Sequence, residues 1–148
     1  MTRRAVLLLA VPSATLAVGP RKIVYVGGTI TTVAPGREGD MATDRPDELV
    51  YVAEDGYVAI PWGSIERLEY GQKAERMVDA LNLSPGLFSL FKRRQHYFTI
   101  GYRNTEGARQ TVTFEMGKDI YQEIILQIRL RSRVDLDFGS EEARKNFR

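Results

Sequence analysis

HYFTIGYRNTEGARQTVTFEM, residues 96–116, decides how the rest of the chain is read. His96, Phe98, Ile100 and Tyr102 alternate with Tyr97, Thr99 and Gly101. A period of two places the first set on one face of a strand and the second on the other. Thr105, Glu106 and Gly107 supply a turn, and RQTVTFEM (109–116) returns with Val112, Phe114 and Met116 on one face. Two alternating runs joined by a short turn containing glycine form a β-hairpin.

Upstream the same grammar repeats. KIVYV (22–26) is rich in β-formers and runs into Gly27-Gly28, a bulge signal that lets a strand curl. TITTV (29–33) reads as a continuing strand, and APGREGD (34–40) reads as a loop because of Pro35, Gly36 and Gly39. ELVYVAE (48–54) and YVAIPW (57–62) flank Asp55-Gly56, a hairpin signal. SIERLEYG (64–71) alternates Ile65, Arg67 and Glu69 against Glu66, Leu68 and Tyr70, as a half-buried strand does. Within 72–94, Ala74 to Leu83 allows a helical turn or two before Ser84-Pro85-Gly86 breaks it.

Downstream the period changes. In DIYQEIILQIRLR (119–131), Ile120, Tyr121, Ile124, Ile125 and Ile128 recur at helical spacing and make one apolar stripe. Asp119 is the expected N-cap. Arg129, Arg131 and Arg133 suit the negative end of the helix dipole and read as a solvated helix end. Val134, Leu136 and Phe138 suggest a last short extended piece, and EEARKNFR (141–148) a charged tail with a frayed helix. Strands first and one amphipathic helix last predict an α+β, mainly β fold. Its form is a curved antiparallel sheet or open barrel capped by a C-terminal helix, the pleckstrin-homology-like (PH-like) arrangement.

The totals bound the function. A chain of 148 residues with 43% hydrophobic and 27% charged residues makes one ordinary globular domain. The net charge of +2 is too small to point to nucleic acid. No cysteine is present, which excludes disulfides, thiolate chemistry and cysteine metal sites. The single histidine leaves a zinc site dependent on carboxylates for nearly every ligand.

MTRRAVLLLAVPSATLAVGP opens the chain with Arg3 and Arg4, an uncharged apolar run from Ala5 to Ala17, and small residues at Thr15 and Ala17. This is the layout of a secretory signal peptide, and the run is shorter than the roughly 20 residues a spanning helix needs. The expected organisation is a leader at 1–17, a domain at 18–140 and a tail at 141–148, in a secreted or periplasmic protein. Without the leader, nineteen basic residues face nineteen acidic ones, so electrostatic binding must come from a local patch.

KIVYVGGTI, the spacing to a G-D-M strand start, IPWGSIERLEYGQK and KRRQHYFTIGYRNTEGARQTVTFEM together resemble an uncharacterised family of exported bacterial proteins. The resemblance covers most of residues 22–145 and implies a fold similar to PH and GRAM domains. It implies no activity, because the family has none established, and a fold does not define a function. The chain departs from the family pattern at Trp62, where tyrosine is usual, and at Gly86.

Candidate chemistry is sparse. Ser64 lies in PWGSI, which is not a nucleophile elbow, and Ser84, Ser89, Ser132 and Ser140 have no motif around them. His96 alternates with Phe98 and Ile100, as a partly buried, hydrogen-bonded strand-entry residue does. The acidic loop Asp44-Arg45-Pro46-Asp47-Glu48 lacks the oxygen spacing of a calcium loop. No cofactor or metal is implied. The candidate lipid- or partner-binding residues are Phe88, Phe91, Lys92, Arg93 and Arg94. Read structurally, Leu87, Phe88, Leu90 and Phe91 pack over the sheet and the cations keep its edge soluble. Read functionally, the aromatics dip into a membrane interface while the cations meet anionic head groups at about 1 kcal/mol each. Phosphoinositides fit poorly, because the cluster precedes the second hairpin rather than lying in the first strand-to-strand loop.

Three functions follow in descending order. The first is a non-catalytic secreted or periplasmic binding or scaffold module for a protein, an extended peptide or an anionic lipid. The second is a peripheral membrane-attachment module acting through 87–94. The third is an enzyme of unidentified reaction, for which His96 is the best candidate residue.

Overall fold

The computed structural model describes residues 21–72 and 96–147. In chain order the elements are β1 (Ile23–Gly28), β2 (Arg37–Ala42), β3 (Glu48–Ala53), β4 (Gly56–Pro61), a 3-10 turn (Trp62–Ser64) and β5 (Ile65–Gly71). They continue with β6 (His96–Arg103), β7 (Arg109–Met116), α1 (Tyr121–Ser132), β8 (Leu136–Phe138) and α2 (Glu141–Asn146). The strands form one sheet in the order β4-β3-β2-β1-β7-β6-β5-β8. All pairings are antiparallel except β5 with β8. β4 and β8 are its two edges and do not pair with each other, so the sheet is open. The fold is α+β and mainly β, with a C-terminal helix on the core.

Alternation in the sequence becomes burial here. β6 buries Phe98, Ile100 and Tyr102 on the core side, and β7 adds Phe114 opposite Phe98, Val112 opposite Ile100 and Met116 opposite His96. Tyr25, Tyr51 and Phe114 meet in the centre, Tyr51 lying 4.7 Å and Tyr25 5.8 Å from the Phe114 ring. The Tyr51 hydroxyl donates to the Arg37 carbonyl at 2.8 Å. Such a buried hydroxyl needs a partner, because stranding one costs about 1–3 kcal/mol. α1 lays Tyr121, Ile125 and Ile128 onto the core, and partly buried Ile124 joins them.

Six expectations change. TITTV is not a strand, and β2 starts at Arg37, within the stretch read as a loop. β1 ends in a bulge, with a register shift between Tyr25 and Gly27. A Cβ on Gly28 (φ +157°) would lie 2.1 Å from the Thr111 carbonyl oxygen. After that close crossing, Thr29 hydrogen-bonds Thr111 and Gln110, so its main chain and side chain are both held by β7. Val33 turns into the core instead of continuing a ladder.

The first hairpin turns at Glu54-Asp55, one residue before the expected pair, and Ala53 closes it against Gly56. Gly56 opens β4 at a close approach, where a Cβ would lie 2.1 Å from the Thr32 carbonyl oxygen. In β5 a register shift between Ile65 and Arg67 resets the phase, so Ile65, Leu68 and Tyr70 all face inward. Strict alternation puts Ile65 on the opposite face, and one bulged residue accounts for the difference.

Asp119 is not the N-cap. That position is Ile120, and the Gly117 carbonyl accepts the N–H groups of Ile120 and Tyr121. The expected frayed tail is also packed. Ser140 caps α2 by accepting from the Ala143 N–H at 3.0 Å, with Glu141 and Glu142 at its start and Arg144 and Lys145 at its end. That charge order suits the helix dipole. Ala143 is buried and Phe147 packs on the core.

Candidate functional site

Phe88, Phe91, Lys92, Arg93 and Arg94 lie outside the described residues, as do the 1–17 leader and the helical turn expected from Ala74 to Leu83. Among the described residues, chemistry-bearing groups gather in two places and exposed apolar groups in two others.

The first gathering surrounds the only histidine. Nδ1 of His96, at the start of β6, shares a 2.8 Å hydrogen bond with the Tyr70 hydroxyl of β5. The imidazole stacks on Tyr121, the first residue of α1, with centroids 3.7 Å apart and planes 8° from parallel. Phe138 of β8 and Phe147 after α2 close the cluster, Phe147 lying 5.0 Å from Tyr70 and 5.8 Å from Tyr121. Burial lowers the His96 pKa from its ordinary value and raises that of the Tyr70 hydroxyl. Both groups are thereby held neutral near pH 7. Five rings from five elements lock one end of the sheet to both helices. His96 is partly buried and hydrogen-bonded, as its position in the strand predicts.

The second gathering is the acidic loop. Its main chain serves Trp62: the Arg45 carbonyl accepts from the indole N–H at 2.9 Å, and the Asp47 carbonyl accepts from the Trp62 backbone N–H at 3.2 Å. Arg131 lies over the indole ring, 5.8 Å from its centroid. The loop thus latches the 3-10 turn to the C-terminal half of α1. Among the described residues no three His, Asp or Glu side chains gather in a way that could hold a metal ion.

The loops joining β1 to β2 and β3 to β4 are tied by charge. Arg37 faces Glu54 at 3.5 Å and Asp55 at 3.9 Å, and the Asp55 carboxylate also accepts from the Ala34 N–H at 2.9 Å. Carboxylates already hold the arginine there, so these loops make no cationic cup for phosphate.

The candidate binding surface is the outer face of β2, β3 and β4. Val52 and Tyr57 are direct cross-strand partners, exposed at 51% and 63%. Asp40 sits opposite Val52 on β2, giving a row of Asp40, Val52 and Tyr57 across three strands. Glu38, two residues from Asp40, shares its face. An apolar pair is therefore rimmed by carboxylates.

The β4 edge beside this row is partly blocked. Because Ala53 and Gly56 close a two-residue turn, residues 57, 59 and 61 point their main-chain groups away from β3. The Tyr57 carbonyl accepts from the Thr32 hydroxyl at 3.0 Å, the Pro61 carbonyl accepts from the Ser64 hydroxyl at 2.7 Å, and Pro61 has no N–H. These features blunt strand addition, so the exposed side-chain face is the more available contact. The second exposed apolar pair, Leu126 and Leu130, lies on α1.

Sequence reasoning missed both pairs. Val52 was legible as the outward residue of an alternating strand, and Leu126 and Leu130 as an i, i+4 pair off the inner stripe. No helix among the described residues is long and apolar enough to cross a membrane. The chain matches no protein-family model and no curated protein.

Proposed function

We propose that this chain is a non-catalytic, secreted or periplasmic binding or scaffold module with a PH/GRAM-like domain. The observation that carries the reading is the exposed Val52–Tyr57 pair rimmed by Asp40 and Glu38 on the outer face of the sheet. An exposed apolar contact of this kind on an ordered sheet is a feature of interaction surfaces. Its carboxylates favour a protein segment that combines apolar and basic residues, and they oppose an anionic lipid at this face. The environment of His96 supports the non-catalytic part, because its Nδ1 and ring face are engaged by Tyr70 and Tyr121.

The test is capture from envelope extract by immobilised full chain, with a Val52→Glu/Tyr57→Ser variant alongside. A saturable protein partner that is weakened by salt and lost by the variant supports the reading. No saturable partner at any salt concentration overturns it. The sequence of 87–94 motivates peripheral membrane attachment as the rival. Salt-sensitive binding to anionic vesicles, lost on Lys92/Arg93/Arg94→Ser, would establish that rival instead.

A further inference from the structure

We propose that residues 73–95 cover the outer face of β1, β7 and β6, where Lys92, Arg93 and Arg94 hold the buried Glu115 carboxylate. Val24, Glu115, Tyr97 and Gly71 lie side by side in one row across β1, β7, β6 and β5. Val24, Tyr97 and Glu115 alternate with Ile23, Phe98 and Phe114, which face the core, so they point to the other side of the sheet. That side is not bare. Tyr97 and Thr113 are 0% exposed, Glu115 5% and Val24 9%. Val24 and Tyr97 are outside the core cluster that α1 covers. A tyrosine on an open sheet face keeps its ring in water, as Tyr57 does at 63%. An antiparallel sheet can leave one face solvated, but the centre of this one is buried on both.

The occupant follows from where the chain leaves and re-enters the sheet. α1 and α2 pack on the inner side through Ile125, Ile128 and Ala143, so neither helix covers the outer one. β5 and β6 are antiparallel neighbours with Gly71 opposite Tyr97. Such neighbours need only about two to five connecting residues. This connection runs from Gln72 to His96, and both its ends emerge at the buried row. Its composition suits the face. Leu87, Phe88, Leu90 and Phe91 supply apolar surface for Val24 and Tyr97. A carboxylate as buried as that of Glu115 requires a cation or strong donors. Lys92, Arg93 and Arg94 are the cations nearest along the chain to Tyr97, the register partner of Glu115. Lys22, two residues before Val24, is exposed. The stretch that reads as a membrane site is thereby engaged with its own sheet. This inference is independent of the Val52–Tyr57 surface, which lies farther along the same face.

The test places a nitroxide on Ser89→Cys, the sole cysteine of that variant, in the full chain, and reads the broadening of backbone amide NMR signals. A urea midpoint verifies the fold. The signals of Val24, Tyr97, Thr113 and Glu115 are expected to lose most of their intensity, and those of Val52 and Tyr57 far less. An absent or uniform effect overturns the proposal. So does broadening of the same signals from Ser13→Cys but not from Ser89→Cys, which would assign the face to the leader. A double-mutant cycle checks the charge pairing. Glu115→Gln and Lys92/Arg93/Arg94→Ser are each expected to lower the urea midpoint, and their combination to lower it no further than the worse of the two. Fully additive losses overturn the assignment of Glu115 to these cations. Partner capture through Val52 and Tyr57 is read separately, so either reading can fail alone.

Discussion

The sheet ends on β8 at one side and on β4 at the other, and the two edges are completed by different means. β8 is three residues long, pairs in parallel with β5, and is backed by α2 and by the rings of Tyr70, His96, Tyr121, Phe138 and Phe147. Arg144 of α2 lies 4.8 Å over Phe138 as well. Among the described residues β4 has no such cover. Its edge is blunted by Pro61 and Thr32, and its outer face leaves Tyr57 beside Val52 in solvent. The contrast separates two uses of aromatic surface. At β8, rings bury one another and hold elements together. At β4, a ring stands against one strand neighbour and remains available to something else. Stability should therefore reside on the β8 side and recognition on the β4 side.

The sharpest way to break this contrast is Tyr121→Ala, which removes the ring against which His96 stacks. A loss of about 3 kcal/mol in urea unfolding is expected, the scale for truncating a buried aromatic side chain. Phe147→Ala should cost less, about 1–2 kcal/mol, because the ring is only partly buried. A negligible change there would mean that α2 is decoration on the β8 edge.

A third effect depends on pH. The folded-state pKa of His96 lies below its ordinary value of 6.5, so the unfolded chain binds a proton first as pH falls. Stability contributed by neutral His96 is therefore complete above about pH 6.5 and is lost as pH falls through the folded-state value. Between about pH 7.5 and about pH 5, wild-type Tm should fall, before most carboxylates titrate. His96→Phe should flatten that slope, and an equal slope in both proteins would remove His96 from the account. The smallest effect belongs to the opposite edge. Tyr57→Ser should change stability by less than about 0.5 kcal/mol while weakening partner capture. A large loss of stability there would erase the division between the edges.

Much of the framework behind this contrast was legible in the residues. Phe98, Ile100, Val112 and Phe114 announced the central hairpin by their alternation, and Tyr121, Ile125 and Ile128 announced the inner stripe of α1. The errors fall where a single residue resets a pattern. The bulge between Ile65 and Arg67 shifts one face of β5 by a residue, and the Gly27-Gly28 bend moves the chain into a loop where β-branched residues suggest a strand. The ring cluster was harder still, because its members come from β5, β6, α1, β8 and the end of α2, so no local window contains it. The exposed pairs required knowing which outward residues stay uncovered, a property of the assembled sheet. The site expected at Phe88, Phe91 and Lys92–Arg94 was a reading of local composition.

The pairing of β1 with β7 carries a consequence in time. Ile23 lies opposite Gly39 on one side and Met116 on the other, so β1 gains its second neighbour only after most of the intervening chain has been synthesised. The rings of Tyr70 and Tyr121 wait longer, until Phe147 follows. Contacts so distant in sequence make folding slow, since long loops must close before they are rewarded. The local ladder of β1 to β4 can therefore form early, while the centre of the sheet and the ring cluster close last.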